Sequence, residues 1–194
     1  MFSWLNFLTY AIITMITPGP NTIMSMSNAS RVGFRKGLPF NFGILSGFAV
    51  VAVITTSFAN ALLELIPKIK TPMLIVGALY MLWLAWQTLR RPAGIEEQQT
   101  KGSFLTGFLL QFINPKLYIL IIVSMEGYIL PYYQGQWSVL IPFALLLALI
   151  GFTLTLLWAS FGSAFKVLFS KHARVTNTVM ALLLVYCAVS LFWA

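Results

Sequence analysis

The chain has 194 residues, of which 59% are hydrophobic and 8% charged, whereas soluble domains are roughly 45–50% apolar and about 25% charged. It reads as an integral membrane protein. Aspartate is absent, and four glutamates, one histidine (His172) and one cysteine (Cys187) leave most metal, dyad and triad chemistries without raw material, so no catalytic residue, metal site or cofactor is expected. The net charge of +8 would suit nucleic acid or anionic lipid, but in so apolar a chain the cations are first read against the membrane spans, and no nucleic-acid partner is expected.

The first apolar run has no preceding cation; Arg31 is the first basic residue. A cleaved signal peptide has the opposite order, so this run is expected in the mature protein. Crossing about 30 Å of hydrocarbon as helix takes about 20 apolar residues. Six such runs follow in order: Trp4 to Ser27, Leu38 to Leu63, Thr71 to Leu89, Phe104 to Met125, Val139 to Phe161 and Val175 to Trp193.

The loops between these runs carry cations unevenly. Arg31, Arg35 and Lys36, then Arg90, Arg91 and Lys101, then Lys166, Lys171 and Arg174 fall on one side, against Lys68 and Lys70 on the other. The positive-inside rule makes the richer side cytoplasmic and leaves both termini outside. Trp83 and Trp86 at one interface, and Tyr128, Tyr132, Tyr133 and Trp137 in the outer loop after span four, read as aromatic anchors.

Span one is interrupted by Pro18, Gly19, Pro20 and Asn21, and span four by Asn114, Pro115 and Lys116. Laying Phe7 to Pro18 over Phe104 to Pro115 takes an offset of 97 residues, and Phe, Leu, Thr, Ile and Pro then coincide. Three spans per half force the halves into opposite orientations. The expected fold is an all-α membrane protein of two inverted three-helix repeats, residues 1–97 and 98–194, each with a broken first helix.

Backbone accounting explains why the breaks matter. Pro18 and Pro20 remove two amide donors and Gly19 permits an unwound backbone, which frees carbonyls and amides. Such groups are tolerated at membrane depth only inside protein or along a wet cavity. The half-helix after each break turns its positive end to the gap, which suits a carboxylate. Thr17, Pro18, Gly19, Pro20, Asn21, Asn114, Pro115 and Lys116 are therefore the expected substrate-binding residues.

Lys116 lies well inside span four, where a cation costs at least about 2.5–3.5 kcal/mol and normally faces the bundle interior. Lys116 and Glu126 are the candidates for ion coupling, Glu126 reading first as an outer-interface residue. Gly43 and Gly47 form a small-residue face that lets helices approach. Asn41, Thr14, Thr17, Ser25 and Gln111 read as polar groups that bond neighbouring helices. Glu64, Glu96 and Glu97 read as loop charges, and His172 as a solvated cytoplasmic residue.

Pro18-Gly19-Pro20-Asn21, Gly33-Phe34-Arg35 with Gly37, and Asn114-Pro115-Lys116 resemble the lysine exporter (LysE/RhtB) superfamily of bacterial amino-acid efflux proteins over essentially the whole chain. The ending from Ala181 to Val189 looks like the cysteine and O-acetylserine exporter branch. The resemblance implies proton-driven export of small amino acids or their derivatives through the inner membrane, with homoserine and threonine as further candidate substrates. It also implies that the two breaks flank the pathway. One departure stands out: many members carry an acid after a glycine in span two, whereas Phe48 follows Gly47 here. That favours a neutral substrate over a cationic one, as does Lys116, which would repel a second ammonium.

The expected partners are a small amino acid, protons and the lipid bilayer; homo-oligomerisation is left open by the sequence. The alternative is a non-transporting helical subunit or assembly factor.

Overall fold

A computed structural model describes residues 2–58, 71–72, 75–76, 78–83, 85–86, 88–90, 102–164 and 173–190. All the regular structure among them is helical. The helices are α1 (Trp4–Ile16), α2 (Pro20–Val32), α3 (Phe34–Ser57), α4 (Phe104–Phe112), α5 (Pro115–Ser124), a π-helical turn (Met125–Ile129), α6 (Leu130–Tyr133), α7 (Trp137–Ala164) and α8 (Ala173–Ser190). Expected span three is helical at its described residues, with Ala78, Met81, Ala85 and Thr88 buried. Glu64, Lys68, Lys70, Arg91, Glu96, Glu97, Lys101, Lys166, Lys171 and His172 lie outside the described residues.

Helix starts follow from local chemistry. Ser3 and Ser103 each turn a hydroxyl onto the amide three residues on, at 3.4 Å from Asn6 N and 3.2 Å from Thr106 N, and so cap α1 and α4. These caps lie 100 positions apart, whereas the prolines repeat at 97. The last residues of the two half-helices, Ile16 and Phe112, lie 96 positions apart, so the first is longer, with 13 residues against nine. Pro20 and Pro115 open α2 and α5, where the missing N–H costs nothing because a helix's first amides have no internal partner.

α3 and α7 are each long and apolar enough to cross a bilayer, and α4 with the helix from Pro115 to Tyr133 forms a third such span, bent by 63° at its break. Each of the two long helices also carries a proline at its sixth residue, Pro39 and Pro142. α1 and residues Asn177–Val189 are shorter apolar helices.

Packing depends on missing side chains. A Cβ on Gly43 would collide with the Phe104 carbonyl, and one on Gly107 with the Phe40 carbonyl, so α3 and α4 touch backbone to backbone. Gly162 brings α7 equally close to the Met26 carbonyl of α2. Around these contacts, Phe7, Ala11 and Met15 of α1 join Phe48 and Val51 of α3, Leu117 and Ile121 of α5, and Phe143 and Leu147 of α7 in one core. A second core sets Ile23 and Met26 of α2 against Met81 and Ala85, and against Met180, Leu184 and Ala188 of α8.

One expectation needs correction. Tyr128, Tyr132 and Tyr133 lie on helix, not in a loop: the chain continues past Ser124 through the π turn into α6. Gly127 and Pro131 disguise this in sequence, but Met125 and Ile129 are buried in the first core and hold the turn in place. Tyr133 meets Phe2 and Phe143 at ring-centroid distances of 6.0 and 6.1 Å, and Tyr128 stacks on Tyr10 at 5.5 Å. The tyrosines thus tie the end of this helix to α1 and α7.

Candidate functional site

The first break spans Thr17 to Gly19, between α1 and α2. Thr17 donates its hydroxyl back to the Thr14 carbonyl at 2.6 Å, and the Trp158 indole of α7 donates to the Ile16 carbonyl at 3.3 Å. On the α2 side, Gly19 N donates to Thr22 Oγ1 at 2.9 Å, and Ile23 N donates to the Gly19 carbonyl at 3.0 Å. The carbonyls of Thr17 and Pro18 have no helical donor, because these residues stand in the unwound stretch between α1 and α2 and do not line up with the first amides of α2.

The second break, at Ile113 and Asn114, is tighter. Asn114 N reaches the Gln111 carbonyl at 3.4 Å, and Leu117 N the Asn114 carbonyl at 3.1 Å. Tyr118 donates its hydroxyl to the Phe112 carbonyl at 3.2 Å. Here the protein satisfies the freed carbonyl locally, whereas the first break draws on the other half of the chain.

Two sets of bonds join the breaks. The Lys116 ammonium lies 3.0 Å from the Thr17 carbonyl oxygen, 2.8 Å from Thr17 Oγ1 and 3.5 Å from the Pro18 carbonyl oxygen. The carbonyls orphaned in one half thus receive the cation of the other. Gly19 makes room for it: a Cβ there would stand 3.2 Å from Lys116 Nζ. Cys187 of α8 is buried in the second core with Ile23 of α2.

The second set is made of amides. Asn21 Nδ2 donates to Gln111 Oε1 at 2.8 Å and Gln111 Nε2 returns a bond to Asn21 Oδ1 at 3.0 Å. Asn114 Nδ2 adds a 3.4 Å bond to the same Asn21 oxygen, and Gln111 Nε2 also donates to the Gly107 carbonyl at 3.0 Å. One acceptor is left over: Asn114 Oδ1 is buried with no partner, a state that costs on the order of 1–3 kcal/mol until something donates to it. A deeper pair, Ser25 Oγ to Asn41 Oδ1, fastens α2 to α3, with Asn41 Nδ2 held by the Gly37 carbonyl at 3.1 Å.

Thr17, Pro18, Gly19, Pro20, Asn21, Asn114, Pro115 and Lys116 therefore occupy one locality where the halves meet. Glu126 does not belong to it. It stands ten residues beyond Lys116, about 15 Å along a helix, on a separate cleft. Gln111 is the member that sequence reading placed only among the general polar contacts; its signal was a polar amide three residues before Asn114 in an otherwise apolar helix. Trp158 and Tyr118 gave no such signal, since an aromatic in a span reads as packing.

Interrupted helices whose breaks meet inside an apolar helical bundle are a recurring feature of membrane transporters. A family model described as LysE type translocator matches residues 12–194, and the chain belongs to that family: it is a membrane transporter, not an enzyme. It is similar to the cysteine/O-acetylserine efflux protein of Salmonella typhimurium (strain LT2), at 39% identity over 189 residues and 96% of each chain. The protein of the same name from Escherichia coli O6:H1 is 37% identical over 188 residues, again 96% of each chain. No solved structure matches.

Proposed function

We propose that the chain is a secondary exporter of small neutral amino acids or their derivatives, moving them out of the cytoplasm across the bacterial inner membrane by alternating access in exchange for protons. The names of its relatives favour cysteine and O-acetylserine over homoserine and threonine. The observation that carries this reading is the Lys116 ammonium on the carbonyls of Thr17 and Pro18.

A substrate's α-ammonium has the chemistry of that head group, so the two compete for one set of carbonyls. Protonated Lys116 excludes the substrate, and neutral Lys116 gives the carbonyls up. Competition between a proton and a substrate for one site is sufficient for antiport, because each binds best when the other has left. The substrate carboxylate meets the first amides of α2, those of Asn21 and Thr22, which have no helical acceptor. Asn114 Oδ1 supplies a further acceptor for the ammonium. A lysine side chain would bring a second cation toward Lys116, which disfavours it.

Six spans in two inverted repeats, 1–97 and 98–194, supply the moving parts. The matched serine caps, matched breaks and matched prolines of α3 and α7 support that arrangement, and the cation-rich loops favour external termini. The experiment is uptake of labelled O-acetylserine and cysteine into inside-out vesicles. An acidic lumen drives accumulation that a protonophore abolishes. Failure of any amino acid to move, or accumulation indifferent to the gradient, overturns the reading.

A further inference from the structure

A second polar locality lies at the far end of α3, roughly 30 Å along the helix axis from Arg35. There a cleft of about 600 Å³, open on one side, is lined by Thr56 of α3, Glu126 of the π turn, Gln134, and Trp137 at the start of α7, among others. That volume lies within the range of small-molecule sites.

Two of its polar groups lack a partner. Glu126 is the one carboxylate among the described residues, and its Oε1 is buried with no hydrogen-bond partner. Thr56 is 3% exposed, and its Oγ1 is likewise buried without a partner, although a helical threonine ordinarily bonds the preceding turn. No Lys or Arg is among the residues that line the cleft. An unpaired carboxylate oxygen, with a nearby lining hydroxyl that can accept as well as donate, suits a cation that carries its own N–H donors.

The π turn explains how Glu126 comes to face this space. Five residues, Met125–Ile129, are wound with the wider repeat, which shifts the side-chain register relative to α5 and often marks functional sites. Trp137, half exposed on the rim, adds an aromatic surface suited to a cation. Calcium and magnesium do not fit, since they take six or more oxygens, usually with more than one carboxylate.

We propose that this cleft is a binding site for a primary ammonium group, taken up by the α-amino group of the exported molecule as it leaves the membrane. The assignment of that occupant rests on the export reading above. In this arrangement Glu126 takes over the ammonium after the Thr17 and Pro18 carbonyls release it. An exported zwitterion then passes between two acceptor sets at different depths.

The test is calorimetric titration of the full chain in nanodiscs with ethanolamine, which has the ammonium and lacks the carboxylate. Saturable binding is expected in the parent, weakened at least about tenfold by Glu126→Gln and severalfold by Thr56→Val, while tetramethylammonium, with no N–H, does not compete. Glu126→Asp retains part of the affinity and serves if the Gln variant does not fold. Equal affinity in parent and Glu126→Gln, or no binding to the parent, overturns the proposal. Vesicle transport of the parent separates the two claims. Transport without ethanolamine binding leaves export standing and removes the cleft; binding without any transport keeps the ammonium site and removes its assigned occupant.

Discussion

Lys116 Nζ lies 3.0 Å from the carbonyl oxygen of Thr17, a residue 99 positions away in the other half of the chain. A lysine in a membrane span usually needs a carboxylate, a wet cavity or a route to the interface. Its hydrogen-bond partners here are the oxygens of Thr17 and Pro18, made available because α1 ends at Ile16. The break and the cation are therefore two parts of one feature, since each resolves a cost the other creates.

Lys116→Gln keeps hydrogen-bonding capacity and removes the titrating charge. Exchange of labelled for unlabelled substrate across the vesicle membrane is expected to continue at a reduced rate, while accumulation driven by a pH gradient disappears. Gradient-driven accumulation at the parental level in this variant would place the coupling group elsewhere.

The amide pair between Asn21 and Gln111 is reciprocal, at 2.8 and 3.0 Å, and it bridges the breaks. A double-mutant cycle on Asn21→Ala and Gln111→Ala, read by denaturant unfolding in detergent, should give a coupling energy of about 0.6 kcal/mol and at most about 1.7 kcal/mol, the average and maximum for interhelical hydrogen bonds in membranes. Additive single variants would mean that the two side chains do not cooperate.

Close approach of α3 and α4 predicts a sharp contrast between glycines. Gly43→Ala and Gly107→Ala force a methyl onto a backbone carbonyl of the facing helix and should each destabilise by about 1–3 kcal/mol or more. Gly127→Ala meets nothing within 4 Å and should stay within about 0.5 kcal/mol of the parent. Thermal unfolding in one detergent checks all three.

The breaks were legible because proline leaves a mark no apolar periodicity can hide, and Asn21, Asn114 and Lys116 stood out as polar residues in apolar runs. Gly43 and Gly47 likewise announced a close helix contact by their spacing. The direction of Lys116 was not legible: its head group reaches the other half's carbonyls, and only the folded arrangement of α1 and α5 settles that. The helix through Tyr128 to Tyr133 was hidden for a different reason. Gly127 and Pro131 signal a loop locally, and burial of Met125 and Ile129 overrides them. Gln111 fell between these cases, visible as an oddity yet without a partner until Asn21 was placed beside it.

The central claim is that the two breaks act together as the transport site, and it is tested most directly by the initial rate of labelled O-acetylserine uptake in inside-out vesicles carrying the Pro18→Ala/Pro115→Ala variant. Alanine at both positions restores one amide donor in each break and, at Pro115, the option of continuous helix, while Pro20 still opens α2. At equal protein level, and with parental helicity by circular dichroism, the rate should fall roughly tenfold or more; transport at the parental rate would contradict the account.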